Sequence, residues 1–166
     1  MGRGMGCVAA DRPADLPLGL AEPAMRARLA LIAESHLRLT GRALVPAGAD
    51  PVAALWQAPA AIVAHGTEAD PLFFFGNRAA LARFAMRFDA FAGLPSRLSA
   101  EPLLREERQA LLDRVARDGF IADYSGVRIA ADGRRFRIEA AVVWNLADAG
   151  GGLHGQAAAF DRWTEL

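Results

Sequence analysis

Three histidines, one cysteine and a scatter of hydroxyls and amides are the groups of this chain that could do chemistry. His36, His65 and His154 lie far apart, and neither H-x-x-x-H nor H-E-x-x-H occurs, so the spacing that brings two imidazoles to one zinc ion is missing. Cys7 has no second thiol to pair with, so a disulfide or redox framework is not expected, and a reducing cytoplasm is the natural setting. Ser96, Ser99 and Ser125 stand outside any G-x-S-x-G elbow, and Ser99 reads as a helix cap. Asp70-Pro71 and Asp132-Gly133 are turn dipeptides rather than paired catalytic acids. Gly150 to Gly152 lacks the following Lys-Ser/Thr and helix of a phosphate loop. No catalytic or metal-ligating residue is assigned. What remains is two side-chain amides, Asn145 and Gln156, that could hydrogen-bond a ligand, with backbone or turn bonding as the plainer reading.

Composition narrows the field further. Basic and acidic residues balance at 19 each, and every basic residue is an arginine. A neutral chain lacks the excess positive charge on which non-specific nucleic-acid binding rests, so no nucleic-acid partner is expected. No apolar run reaches the ~18 residues of a membrane span, and no charged stretch leads into an apolar signal segment.

The elements that must carry these groups follow from pattern. Residues 1–23, rich in Gly, Pro and Asp, read as a loose leader. Residues 24–50 hold a helix to Leu39, with Met25, Leu29, Ile32, His36 and Leu39 at helical spacing, and a linker. Residues 51–166 read as one domain. It has a short helix from Pro51 and strands over Pro59 to His65 and Leu72 to Phe75. A helix capped by Asn77 follows, and another runs from Ser99 to Asp118 with Gly119 as its left-handed cap. Asp123 to Phe160 then forms a three-stranded meander turning at Asp132-Gly133 and at Asp148 to Gly152. In the middle strand Phe136, Ile138, Ala140, Val142, Trp144 and Leu146 alternate with Arg135, Arg137, Glu139 and Asn145, so the even positions should share one buried face. Asn145 then lies opposite Trp144, and the two amides are not expected to share a pocket. Ala141, Val143, Ala157 and Ala159 should form an apolar strip on the far face, for the first helix to cover. The fold class is α+β: a five-stranded antiparallel sheet with helices on one face and a helix in front.

This order is that of a PAS domain, and several stretches resemble one PAS-related family, the MEKHLA domain. AHGTEADPLFFFGNRAALARF (Ala64 to Phe84) resembles its opening, and LPSRLSAEPLLREERQALLDRVARDGFIADYSGVRI (Leu94 to Ile129) its middle. GRRFRIEAAVVWNL and GQAAAF resemble its end, and SHLRLTGRAL (Ser35 to Leu44) looks like the flank of bacterial stand-alone members. The hexapeptide that names the family is absent. In plants the domain ends homeodomain–leucine-zipper regulators; neither part is present here, so a transcription-factor role does not carry over. The resemblance implies a sensory or interaction domain without catalytic residues to transfer. Some PAS domains hold haem through a histidine, for which His65 and His154 are the positions in the core region; a structural histidine is the preferred reading of both. Flavin photochemistry through a core-helix cysteine is not expected, since Cys7 lies in the leader.

Three functional classes fit this layout. A sensor would bind a small apolar or aromatic ligand, cofactor identity unknown, among Phe73, Phe75, Phe84, Phe136, Ile138, Trp144 and Gln156. A homodimeric interaction module would use the first helix and the far sheet face, with no ligand. A small enzyme of the cone-shaped nuclear-transport-factor-like fold needs an ionisable group deep in the cone, and the inward set contains none.

Overall fold

The computed structural model describes residues 13–101 and 105–166. The first long helix, α1 (Pro23–Thr40), opens on a proline whose missing N–H costs nothing there, and closes on Gly41 in the left-handed region. After α2 (Pro51–Gln57) come strands β1 (Ala61–His65) and β2 (Phe73–Gly76), then α3 (Arg78–Phe84), α4 (Phe88–Phe91) and α5 (Arg105–Asp118). The chain finishes on β3 (Phe120–Ile129), β4 (Arg135–Ala147), β5 (Leu153–Phe160) and β6 (Arg162–Glu165). The sheet is antiparallel, in the order β2-β1-β5-β4-β3, with β6 paired to β4. The expected five strands are present, and the last three pair consecutively. β6 is an addition; its four residues are all exposed and carry no apolar alternation that would mark a strand.

Helices cover both faces of this sheet, not one. α1 and α2 lie on the face that carries Ile62, Ala64, Trp144, Leu146, Ala157 and Ala159. α3 and α4 lie on the other, inner face, over Ala61, Phe73, Phe136, Ile138 and Phe160, and α5 covers Ile121 and Val143 on that same side. The first helix therefore packs on the sheet of its own chain, over Trp144, Ala157 and Ala159. Trp144 Nε1 donates to Ser35 Oγ at 3.1 Å, and Ser35 Oγ donates back to the Leu31 carbonyl at 2.6 Å. Arg28 stacks on the Phe74 ring at 3.6 Å.

Two bulges decide which side chain faces which layer. Ala140 sits at φ 49°, a conformation an alanine adopts at a cost of about 1–2 kcal/mol. The extra residue flips the alternation, so Phe136 and Ile138 face α3 and α4 while Val142, Trp144 and Leu146 face α1. The expectation that these even positions share a face fails here, and with it the single apolar strip: Ala141 and Val143 turn inward, while Ala157 and Ala159 face α1. In β2 the pairing steps from Ala64↔Phe75 to His65↔Phe73, leaving Phe74 over, so Phe73 faces inward and Phe75 faces α1.

The described part of the leader is packed. Leu16 and Leu20 are buried against α1 and α2, and Asp15 accepts from Trp56 Nε1 at 3.2 Å and pairs with Arg78. Residues 1–12, including Cys7, lie outside the described residues, as do Pro102 to Leu104, which fall within the helix expected over Ser99 to Asp118. Ser99 does not cap that helix; it ends a short 3-10 turn (Ser96–Ser99) and donates to the Ser96 carbonyl at 2.7 Å.

Asn77 caps α3 as its type and position predict, but does more. Its Oδ1 accepts from Ala80 N and from Ile62 N, both at 3.0 Å, and its Nδ2 donates to the carbonyls of Leu55 (3.1 Å) and Ala60 (2.8 Å). One fully buried amide thus ties the end of α2, the start of β1 and the start of α3. Replacing Asn77 by Ala strands these buried groups, and we expect a loss of about 3 kcal/mol or more in urea unfolding. A loss below about 1 kcal/mol would show that only the cap counts. At Ala140 the bulge predicts that Gly is tolerated or stabilising while Val destabilises by more than about 1 kcal/mol. An unbroken strand would give the reverse order, since Val is the better strand residue.

Candidate functional site

The structure divides the seven residues expected to line a ligand site. Phe73, Phe84, Phe136 and Ile138 gather on the inner face together with Phe91, which stacks on Phe73 at 4.4 Å between centroids. Phe84 meets Phe136 edge-on at 5.5 Å. Phe75 and Trp144 belong to the opposite layer under α1 and cannot line the same space; the bulges put them there. Gln156 faces inward, and the amide expected to lie apart from it is its cross-strand partner.

That partnership is part of a row. His65, Gln156 and Asn145 are directly paired on three neighbouring strands, β1, β5 and β4. Directly opposed residues share a face, and the next row along, Val63, Ala158 and Val143, packs inward, under α3 to α5. All three polar side chains are half-buried. Gln156 Nε2 reaches Asn145 Oδ1 only at 3.5 Å, and Asn145 Nδ2 reaches the Val115 carbonyl of α5 only at 3.4 Å, both at the long limit of a hydrogen bond. His65 Nδ1 lies 2.9 Å from the Gly66 carbonyl oxygen, which can only accept. The neutral ring therefore carries its proton on Nδ1 and presents Nε2 as an acceptor. Gly155 makes the row tight: at φ 145° its added Cβ would stand 2.0 Å from the His65 carbonyl oxygen, so no larger residue lets β5 approach β1 this closely. The row thus offers an acceptor and two weakly engaged amides side by side. Residue type singles out Gln156 and Asn145, but strand alternation sets them apart, and His65 on its own reads as structural. The registers of β1 and of β4 on β5 bring the three together.

The family model described as the MEKHLA domain matches residues 26–165. The chain belongs to this family. Among curated proteins it is similar to the homeobox-leucine zipper protein HOX29 of Oryza sativa, in the indica and japonica subspecies alike, at 28% identity over 114 residues. The match covers 68% of this chain and 13% of those proteins, so the chain spans a small part of their length. Among solved structures it is similar to a PAS domain from Colwellia psychrerythraea, with a TM-score of 0.55 and 14% identity over 68% of this chain and 91% of the other. A light-oxygen-voltage domain whose mechanism was probed with a flavin analogue matches with a TM-score of 0.54 and 14% identity, over 72% and 86% of the two chains. At such identities the likeness shows the fold, which is that of PAS and light-oxygen-voltage sensory domains. The cone-shaped alternative is set aside on this fold.

The other two histidines of this MEKHLA chain stand apart from the row. His154 pairs with Asp148 at 2.7 Å in the exposed β4–β5 turn. Its imidazole, with the backbone N–H groups of Gly152 and Gly150, holds the Asp148 carboxyl below the usual carboxylate range. His36 is buried between α1 and the sheet, edge-on to Trp144 at 4.8 Å, with Nδ1 2.8 Å from the Arg42 carbonyl oxygen. Among the described residues, no helix is long and apolar enough to cross a membrane.

Burial lowers the pKa of His36, against a smaller opposing pull from the Arg42 carbonyl. The unfolded chain, with an imidazole pKa near about 6.5, therefore takes up the proton before the folded one does. The stability His36 contributes is complete above that pH and falls away as pH drops through it towards the lower folded value. We expect thermal unfolding temperatures to fall between pH 7.5 and 5.5, and the fall to shrink in His36→Asn. An equal fall in the variant would assign the acid sensitivity elsewhere.

Proposed function

We propose that this MEKHLA domain is a sensory module that binds a small ligand against the inner face of its sheet, beneath α3 to α5. The observation that carries the reading is the row of His65, Gln156 and Asn145, whose hydrogen-bonding capacity is underused on a face otherwise lined by Phe73, Phe84, Phe136 and Ile138. Half-buried polar groups ordinarily find good partners, and a mostly apolar wall with a few convergent polar groups is how small-molecule sites are built. Such a surface suits a planar, partly aromatic ligand with an edge that can both donate and accept. The fold likeness to a light-oxygen-voltage domain studied with a flavin analogue supports a ligand of that general shape. Cysteine-based photochemistry is not part of the reading, because the row holds no thiol. A single cysteine in the chain supports a reducing compartment as its setting.

The test is native mass spectrometry of the purified protein, with a visible spectrum and a thermal-shift titration with riboflavin as the first planar probe. We expect a mass in excess of the polypeptide or a riboflavin-dependent rise in unfolding temperature. Gln156→Leu should weaken either effect by about tenfold, the value of one good hydrogen bond to a ligand. A bare polypeptide mass with no thermal response would remove the ligand reading and leave an interaction module.

A further inference from the structure

Arg83, near the end of α3, lies against two aromatic rings and a carboxylate at once. Its guanidinium lies 4.7 Å from the centre of the Phe136 ring and 4.5 Å from that of Trp163, between the inner cluster and β6. One terminal nitrogen donates to Glu165 at 2.5 Å. Its Nε is buried without any hydrogen-bond partner. A buried donor left unpaired is unfavourable, so the arrangement persists only because the ring faces and the Glu165 carboxylate hold the guanidinium where it is.

β6 depends on those contacts. All four of its residues are exposed, and it pairs with a single strand, at the segment Phe136 to Glu139. Side-chain contacts to the rest of the molecule are few: Thr164 to Glu139 at 2.8 Å, Trp163 edge-on to Phe160 at 6.4 Å, and the two contacts of Arg83. The other end of the connection is the inner cluster. Phe84, next in sequence to Arg83, packs on Phe136 and on Phe91 at 5.8 Å, and its carbonyl accepts from Ala131 N at 2.8 Å. Arg83 and Phe84 are consecutive residues of α3, so the contacts to β6 and the contacts to these rings are joined through one short piece of backbone.

We propose that β6 is a strap that docks and releases as a unit, and that Arg83 makes its docking follow the packing of the inner aromatic cluster. Withdrawing the guanidinium would free Trp163 and Glu165 together and give Nε access to water. This does not rest on a ligand being bound; any event that repacks Phe84, Phe91 and Phe136 works the strap. The inner face then has a mechanical outlet at the opposite end from the polar row.

Hydrogen exchange of the full chain, read by region, tests this. In Arg83→Ala the amides of β6 should exchange about tenfold faster, while those of β5 and the Trp144 end of β4 keep their protection. Arg83→Lys retains the charge but not the flat face, and should fall between the two. Phe91→Leu touches no residue of β6, yet should also speed β6 relative to β5. The strap is overturned if Arg83→Ala leaves β6 within about twofold of the parent, or if it loosens the whole sheet equally. The coupling is overturned if Phe91→Leu changes β5 and β6 by the same factor.

Discussion

One buried amide holds the layers of this molecule in place. Asn77 satisfies a strand N–H, a helix N–H, the Leu55 carbonyl in the last turn of α2 and the Ala60 carbonyl just before β1 at once. These groups would otherwise be orphans in the interior, each at a cost of about 1–3 kcal/mol. Because α2 belongs to the layer on one face and α3 to the layer on the other, the amide also fixes how the two helical layers stand relative to β1. The inner site depends on this. His65 lies at the far end of β1, and Arg83 lies on the helix that Asn77 starts.

The second constraint is parity. A strand has two faces, and one extra residue exchanges them. Alternation in the sequence located β4 and its turns correctly, and the cap at Asn77 and the left-handed end at Gly119 were legible from residue type alone. The bulges were not. Ala140 is an alanine among alanines, with no glycine or asparagine to signal a positive φ, and the tertiary packing of two apolar layers overrides its local preference. Both faces of the sheet are buried, so an apolar residue on the wrong side of the expected pattern still looks correct. That is why Trp144 and Phe75 read as partners of Phe136 and Phe73 when the sheet separates them.

The polar row was half legible for a related reason. Residue types flagged Gln156 and Asn145, but whether they meet depends on strand pairing. Pairing is set by contacts distant in sequence: His65 and Gln156 are brought together by the close approach at Gly155. The first helix shows the opposite case. Its apolar spacing identified the face it buries, and the partner turned out to be its own sheet. Ser35 and His36 add directional contacts to Trp144 that helical periodicity does not foresee.

The three tryptophans report on three different places. Trp144 is fully enclosed between α1 and the sheet, and Trp56 is nearly so, tied to Asp15 where the segment before α1 crosses α2. Trp163 is 39% exposed, beneath the guanidinium of Arg83. The protein thus carries its own optical labels. A dissolved quencher such as acrylamide reaches one indole and not the other two, so the quenchable fraction of the emission follows β6. The unquenched remainder follows the layer beneath α1. Motions of the two faces can be told apart by light in the unmodified chain, with no dye attached.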